Sequence, residues 1–72
     1  MMSSNEYQYR IFNIKAVIEI TALSRSTIYE MMNPKSKYYD TNFPKQINIT
    51  THRVGWIAKE VNDWIELKII QR

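Results

Sequence analysis

A chain of 72 residues with formal charge +3 makes one domain with a thin core, since a chain of about 60 residues buries only roughly 60% of its unfolded surface. The absence of cysteine excludes a disulfide framework and a thiolate metal site, and fits a reducing compartment. No apolar run approaches the roughly 20 residues that span a bilayer, and residues 1–10 are too polar for a secretory signal. The expectation is a cytoplasmic protein with no membrane partner.

The charge is unevenly placed. Residues 1–34 carry three basic and three acidic side chains and residues 54–72 again three of each, so the whole excess lies between them. There Lys35, Lys37, Lys45 and Arg53 face only Asp40. A local basic patch suits docking of a polyanion, and a solvated basic loop is the competing reading.

Residues 1–9 are polar and aperiodic, the composition of a flexible leader, and leave 10–72 as the folded domain. Tyr7, Tyr9 and Ile11 alternate with polar neighbours, which allows a short extended segment lying on the core. Asn13 is a good N-cap, and Ile14, Val17, Ile18 and Thr21 after it share one helical face, with Ile20 and Leu23 extending it. This predicts a helix of roughly two turns. Thr21, Ala22, Leu23 and Ser24 then give a link of the length found in a helix-turn-helix. Such turns often use glycine to reach a left-handed conformation; here Ala22 or a neighbour must adopt it under strain.

The next stretch, Leu23 to Met32, organises the rest. Ser24 can accept a backbone hydrogen bond at a helix start, Leu23 and Ile28 occupy the two positions of a hydrophobic staple, and Ile28, Met31 and Met32 make an apolar i, i+3, i+4 face. Ser26, Tyr29 and Glu30 lie opposite, flanked by Arg25 and Thr27, and all can hydrogen-bond to phosphate or base edges. One side docks the helix, and the other is free to read something.

Asn33-Pro34 stops that helix, and residues 33–42 read as a loop. Tyr38 and Tyr39 are expected to half-bury over the core with wet hydroxyls, and Lys37 to be the better phosphate contact. From Lys45 the period becomes two. Ile47 and Ile49 alternate with Gln46, Asn48 and Thr50, then Val54 and Trp56 with Arg53 and Gly55, the pattern of a β-hairpin over 46–56. Without Gly or Asn at its tip, a two-residue primed turn is not expected, and three or more residues should close it. Gly55 signals a bulge or a close backbone approach that turns Trp56 inward.

Thr51, His52 and Arg53 at the hairpin tip suit a phosphate backbone or a minor groove. For Arg53 the competing reading is an ion pair with Glu60 or Asp63. His52 has no second ligand or nucleophile near it in sequence, so no metal site is expected, nor a catalytic one. Over the final helix Ile57, Val61, Trp64, Ile65 and the stem of Lys68 form one stripe that closes the core. Leu67 and Ile70 lie off it, as a frayed end or as a surface for weak homodimerisation or cooperative binding. Glu60 and Asp63 have no base, nucleophile or phosphate cradle beside them, so the chain reads as no enzyme, with no cofactor and no small-molecule ligand.

Taken together, Leu23-Ser24-Arg25-Ser26-Thr27-Ile28-Tyr29, Phe43-Pro44-Lys45, Arg53-Val54-Gly55-Trp56, Glu60-Val61 and Asn62-Asp63-Trp64-Ile65 resemble the AlpA-type prophage regulators. These are MerR-like winged helix-turn-helix proteins, some relatives of which act as excisionases. The resemblance runs from about residue 10 to residue 72. It implies a mainly α fold of three helices plus a two-stranded wing, and sequence-specific binding of double-stranded DNA. Helix 25–32 would enter the major groove, with Arg25 favouring guanine, Ser26 and Thr27 reaching phosphate or base edges, and Tyr29 bracing the backbone. Glu30 departs from relatives that tend to be basic there, and the 33–42 loop is longer than theirs. The alternatives are an excisionase-like architectural factor, or an interaction module using the same frame to bind a host or recombination protein.

Overall fold

The computed structural model describes residues 9–72. The expectation of a flexible leader lies outside the described residues, Tyr9 apart. Chain order is a two-residue strand β1 (Ile11–Phe12), helices α1 (Ile14–Thr21) and α2 (Arg25–Met32), strands β2 (Ile47–Thr50) and β3 (Arg53–Ile57), and helix α3 (Ala58–Gln71). Three helices with a small antiparallel sheet make the expected winged helix-turn-helix, with one addition. The short extended segment expected around Ile11 pairs with β3, so the sheet has three strands in the order β1-β3-β2, but Phe12 is the residue it buries while Tyr9 and Ile11 stay exposed. Ile11 faces Ile57 and Phe12 faces Trp56 across that pairing.

Local chemistry sets the helix ends. Asn13 Oδ1 accepts from the Ala16 amide at 2.8 Å and starts α1. Ala22 ends it at φ 62°, the left-handed turn expected there, with its N–H on the Ile18 carbonyl at 2.8 Å. Thr21 braces that turn: its hydroxyl donates to the Val17 carbonyl at 2.7 Å and accepts from the Leu23 amide at 3.2 Å. Ser24 Oγ then accepts from the Thr27 amide at 3.1 Å and starts α2. Nothing on Ile57 caps α3. The Arg10 carbonyl instead accepts from the Ala58 N–H at 2.8 Å, so the approach to β1 satisfies a donor that a helix start leaves open.

The core joins β1, all three helices, β3 and the loop at Phe43, and leaves β2 outside it. Phe12, Val17, Ile28, Phe43, Trp56, Ala58, Val61 and Trp64 are buried, with Leu23, Met31, Met32 and Ile65 packed against them. The apolar stripes of α1, α2 and α3 follow those read from the sequence, except that Ile20, expected to extend the α1 face, is 43% exposed. Gly55 provides the close approach expected of it, since a Cβ there would press into the Ile11 side chain and lie 3.1 Å from the Phe12 carbonyl oxygen. The bulge falls on the neighbouring strand: Asn48 faces Val54 and Thr50 faces Arg53, leaving Ile49 extra.

Three expectations are corrected. Only Thr51 and His52 separate the paired Thr50 and Arg53, so the tip has two residues rather than three or more. Ala22 alone among the described non-glycine residues has positive φ, so the turn is not a primed one. The bulge at Ile49 supplies the strand twist a primed turn would have given, and Thr50 Oγ1 steadies the tip by accepting from the His52 amide at 3.2 Å. Tyr38 and Tyr39 are exposed rather than half-buried, at 59% and 40%. The end of α3 does not fray: it runs to Gln71, with Leu67 half-buried and Ile70 exposed.

Candidate nucleic-acid interface

The interface starts from α2, which the core holds by one side only. Ile28 is fully buried while Ser24, Arg25, Ser26, Tyr29 and Glu30 are exposed and Thr27 half-buried. The Ser24 hydroxyl also donates to Thr27 Oγ1 at 2.8 Å, and Ser26 Oγ lies 3.4 Å from Ser24 Oγ. A chain of three hydroxyls thus lines the start of the helix beside Arg25, fixed by the cap itself. Tyr29 stands edge-on to the buried Trp56 at 6.5 Å and 62°, so its ring has a fixed seat and its outer edge stays in solvent. Because Trp56 belongs to β3, this contact ties the outward face of α2 to the wing. Arg25 lies one helical turn from Tyr29, and Arg53 lies about 10 Å along the strand from Trp56.

Glu30 has a partner that the sequence did not suggest. Ser36 Oγ donates to Glu30 Oε1 at 2.5 Å, which fastens the 33–42 loop to the outer side of α2. The loop is tightly built: Asn33 Oδ1 accepts from Lys35 N–H at 3.0 Å, Ser36 Oγ from Tyr38 N–H at 3.0 Å, and the Met31 carbonyl from Asp40 N–H at 3.0 Å. Lys37 stands over the Tyr38 ring at 5.3 Å. Lys45 is exposed where the chain leaves the loop for β2.

Asp40, noted from the sequence only as the lone acid in a basic stretch, anchors this loop. Its Oδ2 accepts from Trp64 Nε1 at 3.0 Å and pairs with Lys68 Nζ at 3.0 Å, while its Oδ1 accepts from the Asn42 amide at 2.8 Å. Burial works against its charge and is the largest single influence. The bonds from Trp64, Asn42 and Lys68, with the Lys68 charge, outweigh burial and hold the carboxyl below the usual aspartate range. Lys68 also covers the Trp64 ring at 5.4 Å, and Phe43 packs edge-on to Trp64 at 5.0 Å. The loop is thereby fixed to α2 at one end and α3 at the other.

At the wing, Thr51, His52 and Arg53 are all exposed. Arg53 makes no ion pair among the described residues; Asp63 is taken by Lys59 at 2.8 Å, and Glu60 forms none. Arg53 instead lines a groove between the wing and α1, shared with Arg10, Asn13 and Glu19. Arg10 did not stand out in the sequence, where it is one base near the edge of a polar leader. Among the described residues no group of His, Cys, Asp or Glu could hold a metal ion, and no helix is long and apolar enough to cross a membrane.

A capped helix with a polar outward face, tied through one aromatic contact to a β-hairpin with an exposed arginine near its tip, defines a small winged helix-turn-helix protein. Residues 10–69 match the family of the prophage CP4-57 regulatory protein AlpA, and the chain belongs to that family, which is regulatory rather than enzymatic. It is 42% identical over 62 residues to the DNA-binding transcriptional activator AlpA of Escherichia coli (strain K12), covering 86% of this chain and 89% of that protein. It is 32% identical over 65 residues to the uncharacterized protein ORF88 of Enterobacteria phage P4, covering 90% of this chain and 67% of that one. No solved structure matches the chain.

Proposed function

We propose that this chain is a sequence-specific DNA-binding regulator of a prophage or related mobile element, acting in the cytoplasm on double-stranded DNA. The observation that carries the reading is α2 itself, with Ile28 buried and Arg25, Ser26, Tyr29 and Glu30 outward. Family membership and the relative named a DNA-binding transcriptional activator support it.

In this reading α2 enters the major groove starting from Ser24. Arg25 makes the bidentate contact to guanine O6 and N7, and the hydroxyls of Ser24, Ser26 and Thr27 reach phosphate or base edges. Tyr29 braces the backbone from its seat on Trp56. Glu30 is held sideways by Ser36, which directs its charge toward the loop and lessens its repulsion of phosphate. Lys37 and Lys45 from the loop side, and Thr51, His52 and Arg53 from the wing, hold the backbone on either side of the helix. With a net charge of only +3, one copy binds weakly, and copies cooperate through the exposed end of α3, where Ile69 and Ile70 are uncovered.

The test is a set of titrations with a preferred duplex selected from a random pool. Arg25→Ala should cost about 1–3 kcal/mol on that duplex and little on unrelated DNA, while Arg53→Ala should weaken both alike. Indifference of Arg25→Ala on every duplex, with tight binding to a protein instead, would establish the interaction-module alternative.

A further inference from the structure

The groove between the wing and α1 brings together Arg10, Asn13, Ala16, Glu19, Arg53 and Val54. Arg10 and Arg53 are 43 positions apart in the chain and stand on different strands or their approaches, yet line one concavity. Neither forms an ion pair among the described residues, although Glu19 lines the same groove. Arg10 is well fixed. Its carbonyl accepts from the Ala58 N–H at 2.8 Å, which anchors its backbone to the start of α3, and its guanidinium lies over the Phe12 ring at 5.7 Å. An arginine held at both backbone and guanidinium loses little freedom when it meets an anion. The Asn13 side-chain oxygen is occupied by the α1 cap, and the amide nitrogen beside it can only donate. The groove therefore carries two guanidinium groups and an amide donor against one carboxylate, a donor set for a phosphodiester.

We propose that Arg10 is a second backbone clamp, gripping the phosphates of the same duplex with Arg53 across this groove, and that Glu19 weakens the grip by opposing the phosphate charge. This rests on the DNA-binding reading above. It adds the stretch before β1 to the interface, and it makes Glu19 one reason a single copy binds weakly.

Full-length protein and one selected duplex test it, with log K measured against log salt. Each phosphate contact contributes about 0.9 to the slope. Arg10→Ala should lower the slope by about one such step, as Arg53→Ala does, while Arg10→Lys, which keeps the charge, should hold the slope near the native value. Glu19→Gln should tighten binding, most at low salt. Circular dichroism melts of each variant ensure that only folded protein is compared, and Arg10→Gln replaces Arg10→Ala if the latter is unstable. Native affinity and slope in Arg10→Ala, with the loss intact in Arg53→Ala, would overturn the clamp and leave the DNA-binding reading standing. If Arg25→Ala and Arg53→Ala both bind DNA like the native chain, docking through α2 and the wing fails and the clamp falls with it, whereas a native chain that binds no duplex at all overturns the DNA-binding reading itself. An acidic peptide that binds the groove without competing with DNA would likewise overturn it.

Discussion

Replacing Asp40 by alanine removes one carboxylate that three groups use. Trp64 Nε1, the Asn42 amide and Lys68 Nζ each lose their acceptor, and the indole that loses it is only 8% exposed. A hydrogen bond to a charged group contributes about 1.5–3 kcal/mol, while the Lys68 pair, half in solvent, adds less than about 1 kcal/mol. The contributions share one carboxylate and do not sum, so the expected loss is about 2–3 kcal/mol. A domain of this size holds roughly 4–10 kcal/mol in all, and each kcal/mol moves its melting point by about 4–8 °C. The alanine variant should therefore melt roughly 10–20 °C lower, followed by far-ultraviolet circular dichroism and tryptophan fluorescence. Asp40→Asn keeps an acceptor but no charge and should fall between the two. The effect has a definite pH dependence, because the folded Asp40 carboxyl sits below its unfolded value. Its stabilisation is complete above the ordinary aspartate range near pH 4, and is lost as pH falls through the folded value. The gap between native and alanine proteins should be constant from about pH 5 to 8 and narrow progressively below about pH 4. An alanine variant melting within about 3 °C of native at neutral pH would refute the claim that this carboxylate anchors the loop.

Other substitutions test the frame around the interface. Ala22→Gly relieves a left-handed conformation that costs an L-residue about 1–2 kcal/mol, against about 0.5–1 kcal/mol of added unfolded-state entropy. It should raise the melting point slightly, and a lower one would contradict strain at that turn. Gly55→Ala forces a methyl against Ile11 and the Phe12 carbonyl, so a loss of about 1–3 kcal/mol is expected in urea titrations. Ser24→Ala removes the α2 cap and should cost about 1 kcal/mol of stability, read from the same titrations, before any effect on DNA is counted.

What the sequence revealed was local. Asn13 and Ser24 cap helices through bonds to residues three positions on, and Ala22 was marked by the lack of a glycine where the chain must turn. Gly55 announced a close approach because its neighbours alternate as a strand does. What stayed hidden depended on partners far along the chain. Asp40 meets Trp64 across 24 positions, and no periodicity joins a loop acid to a helix indole. Arg10 gains significance only when β1 pairs with β3 and places it on the groove that Arg53 also lines. Turn chemistry at Thr51 and His52 alone does not predict a two-residue wing tip, because the compensating bulge lies at Ile49. For the candidate interface, the outward face of α2 is legible from its period, but the Ser36 bond that occupies Glu30 is not.

The most direct test of the proposal that α2 reads DNA is methylation interference at guanine N7 on a selected duplex. The major-groove account predicts at least one guanine whose methylation blocks the native protein, and whose methylation no longer matters to Arg25→Ala because the guanidinium that sought N7 is gone. Binding indifferent to guanine methylation throughout the site, or the same interference pattern with and without Arg25, would contradict it.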